Sequence, residues 1–246
     1  MPDNSVEVQP GGRTFPTINA ALASITDNRL QKQYILYVGP GTYNEKVQMK
    51  PYVSIQGAGR DETIITQPAS SDAFSGGTVM AASNCTLANV TVSSLGGHWG
   101  SYSTAVSCSG AVNFDIDNST LIVDDQNQAG VNQYALNAAL TTFEPPSQIR
   151  VSYCLIKCTA QNGDSSATAA GIAQESTAVI SYSKLIAKGG RQPFGVITAR
   201  SSSVTIDDGY VEGSYFALYD SDGASIITAN QCQINGPVSG GVVVNN

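Results

Sequence analysis

Short alternations of apolar and polar residues, separated by polar turns, run through most of the chain. The stretch YILYVGPGTYNEKVQMKPYVSIQGAG, from Tyr34 to Gly59, contains three such segments, each closed by a Gly or Pro turn. These segments have the period of strands and not that of a helix. Because each strand is so short, we expect a fold in which strands from successive segments pair with one another.

One segment near the N-terminus has the period of a helix instead. In TFPTINAALASI, apolar residues recur every three or four positions, at Phe15, Ile18, Ala21, Leu22 and Ile25. Thr14 precedes the segment as a cap residue, and Pro16 stands in its first turn. We predict a helix over Phe15–Ile25, within a cap region that spans residues 11–27.

A loose unit recurs from residue 84 onward. Segments such as NCTLANVTV, SQIRVSYCLIK and TAVISYSKLIA share alternating apolar residues, a polar turn and a further apolar pair. Taking Leu121, Leu155, Leu185, Val211 and Ile234 as equivalent gives separations of 34, 30, 26 and 23 residues. Such separations are typical of the coils of a solenoid. Long loops are predicted at 95–104, 124–147 and 159–176.

The pattern predicts an all-β fold, namely a single-stranded right-handed parallel β-helix with an N-terminal α-helical cap. In such a solenoid each coil pairs with the coils on either side, so long unpaired edges occur only at the two ends. We expect one domain over residues 1–246, with the coils in 34–246. The segment SGGVVVNN supplies a last strand without a cap, so we expect self-association through the C-terminal end.

Composition and charge narrow the range of partners. Only 13% of the residues are charged and 24 are Gly, which is typical of turn-rich β structure. The net charge of -7 and the scattered Lys and Arg residues argue against nucleic acid or an anionic membrane as partner. No apolar run approaches membrane-spanning length, and the segment MPDNSVEVQPGG shows no export signal.

The five cysteines lack the paired spacing of a zinc site. Cys154 and Cys158 are four residues apart, which is not the spacing of a metal knuckle. We expect the cysteines to be reduced and to fill small apolar positions in the core. We also expect no metal site and no cofactor.

The N-terminal quarter of the chain resembles a known family. GGRTFPTINAALASI followed by YILYVGPGTYNEKVQMKPYVSIQGAGRDETIIT is similar to the opening of the pectin methylesterases, within the pectin-lyase-like right-handed parallel β-helix superfamily. The shared features over residues 11–66 are Phe-x-Thr-Ile-x-x-Ala, Pro-Gly-x-Tyr-x-Glu and Gly-x-Gly before Thr-x-Ile. The resemblance implies a polysaccharide or oligosaccharide partner and a secreted or cell-surface location.

The family's catalytic motifs, in contrast, are not matched. Ser103 of STAVSC stands where the family has a glutamine, and NQYALNAAL, with Gln133, is a weaker rival. Tyr215 of GYVEGSYFALYDSDG takes the place of the nucleophile, and GGRQPF keeps Arg191 and Pro193 of a Gly-Arg-Pro-Trp segment. Because the family's route needs one carboxylate as nucleophile and another as acid and base, we predict that methylesterase activity is absent.

Two carboxylates elsewhere are candidate catalytic residues. Asp115 and Asp117 of NFDIDN are two residues apart on a strand, so both project outward about 6.6 Å apart. This separation is near that of a glycosidase pair, so an active polysaccharide lyase or hydrolase is one alternative. The other is structural pairing with Arg150, which lies about 4.8 Å away in the next coil.

A second acidic cluster lies near the C-terminal coils. It consists of Asp207, Asp208, Asp220 and Asp222. The segment YDSDG is typical of a turn, in which Asp bonds to its own backbone and Gly takes a positive φ. Calcium binding is the alternative for this cluster, although the spacing of an EF-hand is absent.

Aromatic loop residues are the candidate saccharide-binding site. Trp99 and His98 stand in the loop LGGHWGSYS, and with Tyr102 they offer flat faces for a sugar ring. His98 is also a potential general base. The alternative is that Trp99 folds down and seals the loop. Further predicted contacts come from neighbouring coils, at Tyr134, Phe143 and Arg150, with Tyr215 and Tyr219 farther along the axis.

Other polar and aromatic columns read as structural. Asn89, Asn118 and Asp208 fall at equivalent turns, where Asn and Asp tolerate left-handed geometry. Tyr153 and Tyr182 are predicted to stack between neighbouring coils.

Three functions remain open at this point. The first is saccharide binding on the lateral loop face without methylesterase activity. The second is an active lyase or hydrolase that uses the surface Asp residues, and the third is a structural or assembly module.

Overall fold

In the computed structural model, residues 4–10, 15–67, 70–71, 76–138 and 146–246 are described. Within these ranges the strands form three sheets, and nearly all strand pairs are parallel. The chain passes through sheet 1, sheet 2 and sheet 3 in turn, and then repeats, so equivalent strands of successive coils are hydrogen-bonded neighbours. The prediction of an all-β parallel β-helix is confirmed.

The strand bounds in the described part of the chain are as follows. Sheet 1 contains β1 (Ser5–Val8), β2 (Tyr34–Val38), β5 (Val53–Gly57), β9 (Cys85–Ala88), β12 (Phe114–Asp117), β15 (Gln148–Ser152), β18 (Thr177–Ser181), β21 (Ser203–Asp207), β24 (Ile226–Asn230) and β27 (Val242–Asn245). Sheet 2 contains β3 (Gly41–Asn44), β6 (Thr63–Gln67), β10 (Thr91–Leu95), β13 (Thr120–Asp124), β16 (Leu155–Ala160), β19 (Lys184–Gly189), β22 (Tyr210–Gly213) and β25 (Gln233–Asn235). Sheet 3 contains β4 (Val47–Gln48), β8 (Val79–Met80), β11 (Tyr102–Ser107), β14 (Asn132–Ala138), β17 (Ser166–Ile172), β20 (Pro193–Thr198), β23 (Phe216–Asp220) and β26 (Val238–Ser239), and the short β7 (Ser70–Ser71) pairs antiparallel with β11.

The predicted N-terminal helix is present but shorter than expected. Helix α1 spans Ile18–Ser24, and its cap is Thr17, whose hydroxyl accepts a hydrogen bond from the backbone N–H of Ala20. Thr14, the predicted cap residue, lies outside the described residues. The helix buries Ile18, Ala21 and Leu22 against the first coils.

A glutamate from the coils completes the cap of α1. The Glu45 carboxylate accepts the backbone N–H groups of Ile18 at 2.8 Å and Asn19 at 2.9 Å. A negative charge is favourable at a helix N-terminus, where backbone N–H groups have no partner within the helix. The same segment contains Tyr43, whose hydroxyl donates to the carbonyl oxygen of Gly39 at 3.0 Å. The Gly-x-Tyr-x-Glu segment therefore fastens the helix to the β-helix.

Two of the predicted loops contain strands of sheet 3. Strand β14 lies within 124–147 and β17 lies within 159–176, while the predicted loop 95–104 includes the first residues of β11. The sequence of β17 is SATAAGI, in which small residues replace the large apolar side chains that mark a strand. Strand β17 was therefore hidden from an analysis of apolar alternation.

One repeat position was also assigned wrongly. Leu121 pairs with Ile156, and the same column continues through Leu185, Val211 and Ile234. Leu155 pairs with Thr120 and is only half-buried, whereas Ile156 is fully buried. The two-residue turn before β16 ends at Cys154, so the predicted register was one residue too early.

Buried aliphatic side chains stack in columns along the coils. Val92, Leu121, Ile156, Leu185 and Val211 form one fully buried column in sheet 2. Each such side chain contributes roughly 1.5–3 kcal/mol relative to an exposed position. The four cysteines Cys85, Cys108, Cys154 and Cys158 are also buried, and all five cysteines are free. Burial raises the pKa of the Cys85 thiol to about 12 and that of Cys154 to about 11, so both remain protonated.

The turn between sheets 1 and 2 repeats one backbone conformation. Its first residue has a positive φ in six coils, at Asn89, Asn118, Tyr153, Tyr182, Asp208 and Gln231. This confirms that Asn89, Asn118 and Asp208 are equivalent. The rings of Tyr153 and Tyr182 lie 5.1 Å apart with an interplanar angle of 8°, so the predicted stack is confirmed as well.

The two ends of the β-helix differ. Helix α1 covers the first coils, whereas no residue after Ala229 is buried. Val238, Val243 and Val244 are each 40% exposed or more. No helix in the described ranges is long and apolar enough to cross a membrane.

We expect Glu45→Ala to lower the free energy of unfolding by about 1 kcal/mol, because two N–H groups of α1 lose their acceptor. Urea unfolding followed by circular dichroism measures the change. Glu62→Ala is the matched control, because Glu62 is exposed and is not at the helix. An equal loss in both variants would contradict the assigned role of Glu45.

Candidate functional site

The turn that contains Trp99 is fixed to the following coil. It connects β10 and β11, and Gly100 N–H donates to the carbonyl oxygen of Gly130 at 2.9 Å. Gly97 N–H donates to Oε1 of Gln128 at 2.6 Å. Gly100 has a φ of 78°, a conformation that glycine adopts without strain. The turn is therefore held to the following coil by the backbone N–H groups of two glycines, in addition to the hydrogen bonds that the Ser101 hydroxyl makes within it.

Trp99 projects from this turn and is 72% exposed. The six-membered part of its ring lies over Gly130, because a Cβ atom at residue 130 would overlap Cε3 and Cδ2 of the indole. The alternative prediction was that Trp99 folds down over the loop. The ring does contact Gly130, but it does not fold down any further. Most of the ring surface remains available to a ligand.

Three further predicted residues lie near the Trp99 turn. His98 is exposed beside Trp99, and its backbone N–H donates to the hydroxyl oxygen of Ser101 at 2.9 Å. Tyr102 is in β11 and Tyr134 is in the adjacent strand β14, two residues apart in register. Burial, with a smaller effect of Tyr102, raises the pKa of Tyr134 to about 12. Tyr134 is therefore a neutral phenol at physiological pH.

Four aromatic side chains form a cluster farther along the axis, which we call the distal cluster. Its members are Phe194, Tyr215, Phe216 and Tyr219. Phe194 contacts the other three rings, with centroid distances of 5.4 Å to Tyr215, 6.3 Å to Phe216 and 5.4 Å to Tyr219. The rings of Phe216 and Tyr219 are 4.7 Å apart and nearly parallel.

The distal cluster lies on the outer side of sheet 3. The hydrophobic core takes the intervening residues Val196, Ala217 and Leu218, and none of the four aromatic residues belongs to it. Tyr215 is 44% exposed, whereas Phe194 is almost buried beneath the other rings. The sequence analysis recognised Tyr215 and Tyr219 singly but missed the cluster, because the pairing of β20 with β23 cannot be read from spacing alone.

The predicted catalytic carboxylates lie on a different sheet. Asp115 and Arg150 are register partners in sheet 1 and form an ion pair, in which Arg150 Nη2 donates to Asp115 Oδ2 at 2.9 Å and Nε lies 2.8 Å from Oδ1. Hydrogen bonding to Asp115 raises the pKa of the Arg150 guanidinium. Asp117 instead accepts a hydrogen bond from the Ser152 hydroxyl at 2.7 Å. The structural pairing that was predicted as the alternative for Asp115 is confirmed.

The sheet 1 residues and the aromatic residues do not form one site. Asp115, Asp117 and Arg150 line an open depression of about 290 Å³, together with Ser152, Val179 and Ser181. Tyr102 and Tyr134 belong to sheet 3. The predicted grouping of Arg150 with the loop aromatics is therefore wrong. Phe143 lies outside the described residues.

In the second acidic cluster, the carboxylates of Asp220 and Asp222 accept hydrogen bonds from backbone N–H groups of turns. Asp222 accepts the backbone N–H groups of Arg200 and Ala224, and these bonds lower the pKa of its carboxyl group. Asp220 accepts Gly241 N–H at 3.2 Å. In the described ranges, no group of three or more His, Cys, Asp or Glu residues is arranged to hold a metal ion.

Sheet 3 brings together two of the segments compared with the family's catalytic motifs. Ser103 pairs with Gln133, and the same column continues to Ala167 and Pro193. Tyr215, which was aligned with the family's nucleophile, precedes β23, three coils beyond β14. The strand of sheet 3 that follows β14 is β17, whose side chains carry no ionisable group.

Comparisons with known proteins agree with this architecture. Residues 4–109 match the family model Pectinesterase. A pectin methylesterase from carrot superposes with a TM-score of 0.65 at 15% identity, covering 100% of this chain and 89% of the other. The pectin methylesterase from Aspergillus niger gives 0.64 at 12% identity, with coverages of 100% and 85%. The chain has the fold of the pectin methylesterases.

A third similar structure carries a ligand. It is a mutant pectin methylesterase in complex with a hexasaccharide, with a TM-score of 0.56, 13% identity and coverages of 98% and 81%. A search of curated protein sequences finds no significant match to this pectinesterase-like chain.

The exposed pair of Asp115 and Arg150 is expected to contribute little stability. Arg150 is 62% exposed, and exposed ion pairs contribute about 0.2–1 kcal/mol. A double-mutant cycle of Asp115→Ala and Arg150→Ala, measured by urea unfolding, gives the coupling energy. A coupling well above about 1 kcal/mol would show that the pair is structurally essential.

Proposed function

We propose that this protein binds a saccharide chain on its lateral face beside Trp99 and does not hydrolyse methyl esters. The observation that carries the proposal is the largely exposed Trp99 ring, supported from below by Gly130. A large exposed indole in a fixed turn offers a flat apolar face at little cost in conformational entropy. His98 and Tyr102 supply polar groups beside this face.

The side chains of sheet 3 support the absence of esterase activity. The strands β8, β11, β14, β17 and β20 contain no Asp or Glu. Tyr134 stands next to Thr104 in register and is held neutral by its raised pKa. The family's route needs a carboxylate nucleophile and a second carboxylate, and this part of sheet 3 offers neither.

The similarity in fold supports the ligand class. One of the superposable pectin methylesterases is bound to a hexasaccharide, so an extended sugar chain is a ligand for that protein. Homogalacturonan oligosaccharides are therefore the first probes to use. A comparison of affinities for different polysaccharides then identifies the polymer that this chain binds.

We expect wild-type protein to bind homogalacturonan oligosaccharides, and Trp99→Ala to bind them at least about tenfold more weakly, which equals about 1.4 kcal/mol. Isothermal titration calorimetry measures the affinity. Tyr153→Ala is the matched control, because Tyr153 is 56% exposed but lies at the turn between sheets 1 and 2.

Measurement of released products tests the proposed lack of catalysis. Methanol release from methylated homogalacturonan by the wild type would overturn the proposed lack of esterase activity. Unsaturated or shortened sugars that disappear in Asp117→Asn would instead support the lyase or hydrolase alternative. Binding that is equal in wild type and Trp99→Ala would contradict the assigned site.

We also propose self-association through the C-terminal coil, because two copies would meet there without charge repulsion. Val238, Val243 and Val244 are exposed, and residues 223–246 contain no charged side chain. Sedimentation velocity is expected to show a concentration-dependent dimer that Val243→Lys abolishes. A monomer at all concentrations would contradict this proposal. Val179→Lys, on an outward position of sheet 1 away from this coil, is the control.

A further inference from the structure

We infer that the distal cluster is a second contact point for the same saccharide chain, so that full affinity requires a ligand that reaches from Trp99 to Tyr215. This inference rests on the proposed saccharide binding. It adds the length of the ligand and its direction, parallel to the axis of the β-helix.

Trp99 and Tyr215 lie on the same edge of the molecule. Trp99 is in the turn that leads from sheet 2 into β11, and Tyr215 is in the equivalent turn that leads into β23. Four coils separate β11 from β23, and three separate Gly130, on which Trp99 rests, from Tyr215. At a strand spacing of about 4.8 Å, the two contact points are about 14–19 Å apart along the axis.

The distal cluster is built to hold an exposed ring in a fixed position. Tyr215 packs edge-on against Phe194 at 5.4 Å and against Phe216 at 5.0 Å, with interplanar angles of 88° and 86°. Its backbone N–H donates to the carbonyl oxygen of Pro193 at 3.1 Å. The tyrosine is thus braced from two sides and by the preceding coil, while 44% of its surface faces solvent.

The four aromatic rings of the distal cluster are not part of the hydrophobic core, so a need to fill the core does not explain them. Sheet 3 already supplies Val196, Ala217 and Leu218 to the core from the same two strands. The four aromatic rings instead form an additional layer outside it. In monomeric proteins, contiguous exposed apolar surface is usually kept small, and an exposed aromatic group on a rigid scaffold is typical of a binding site.

Two contact points on a rigid scaffold have a predictable effect on affinity. A disaccharide reaches only one of them, whereas a hexasaccharide reaches both. Once the chain is bound at Trp99, contact with the distal cluster is intramolecular, so the gain in affinity comes without a second loss of translational freedom. Affinity is therefore expected to rise steeply once the ligand is long enough to reach both points.

The test is a titration of homogalacturonan disaccharide, trisaccharide, hexasaccharide and dodecasaccharide into wild type, Trp99→Ala, Tyr215→Ala and Tyr215→Phe. For the wild type we expect the hexasaccharide to bind at least about tenfold more tightly than the disaccharide. Tyr215→Ala is expected to remove this gain and to leave disaccharide binding unchanged. Tyr215→Phe, which keeps the ring, is expected to retain it.

Control measurements separate binding from folding. Tyr153→Ala removes a tyrosine of similar exposure from a different edge, the turn between sheets 1 and 2, and is expected to bind every oligosaccharide as the wild type does. Urea unfolding of each variant shows whether the fold is intact. An unstable Tyr215→Ala variant would unfold at a lower urea concentration than the wild type. In that case the length dependence is still tested by comparing hexasaccharide and disaccharide affinities in the wild type and in Tyr215→Phe.

The possible outcomes distinguish the two proposals. If no oligosaccharide binds to the wild type, the proposed function fails and this inference fails with it. If Trp99→Ala weakens binding but Tyr215→Ala does not, or if affinity is independent of length, only the inference of a second contact point is overturned. A gain with length that depends on both Trp99 and Tyr215 supports it.

Discussion

The parallel backbone hydrogen bonds between equivalent strands of successive coils are the interaction on which the rest of the structure depends. They fix the register, so each residue faces its equivalent in the next coil about 4.8 Å away. Buried columns such as Leu121, Ile156 and Leu185 follow directly from this register. The same register stacks Tyr153 on Tyr182 and places Arg150 beside Asp115. Local pairs that look like separate features of the surface are thus consequences of one repeated spacing.

This spacing also separates structural surface groups from groups available to a ligand. Asp115 and Asp117 are each hydrogen-bonded to a partner in the next coil, so both carboxylates link neighbouring coils. The Trp99 ring lies over Gly130, and most of its surface remains exposed. On a solenoid, the informative surface residues are those whose neighbours in the adjacent coils leave their outer faces uncovered.

The sequence was sufficient for the fold and for those features that repeat with every coil. The helix, the left-handed turn at Asn89 and the pairing of Arg150 with Asp115 all follow from local pattern and strand spacing. Strand β17 was missed because its alanines and glycine give no apolar alternation, and Ile156 was missed by one residue because turn length cannot be counted exactly. The distal cluster depends on which coils are adjacent after loops of unequal length, and only the three-dimensional register supplies that information.

The contact between Glu45 and α1 bears on how the match between the N-terminal part of this chain and the Pectinesterase family model is interpreted. The matched region, residues 4–109, ends two residues after β11, before the strands that follow β11 in sheet 3. Within it, Glu45 fastens the helix that covers the first coils, and Tyr43 bonds to the backbone of the same coils. Such residues stabilise the end of the solenoid whatever reaction, or lack of one, occurs on the coils beyond. Similarity at this end of the molecule therefore reports the fold of the chain, whereas function depends on the side chains along its lateral face.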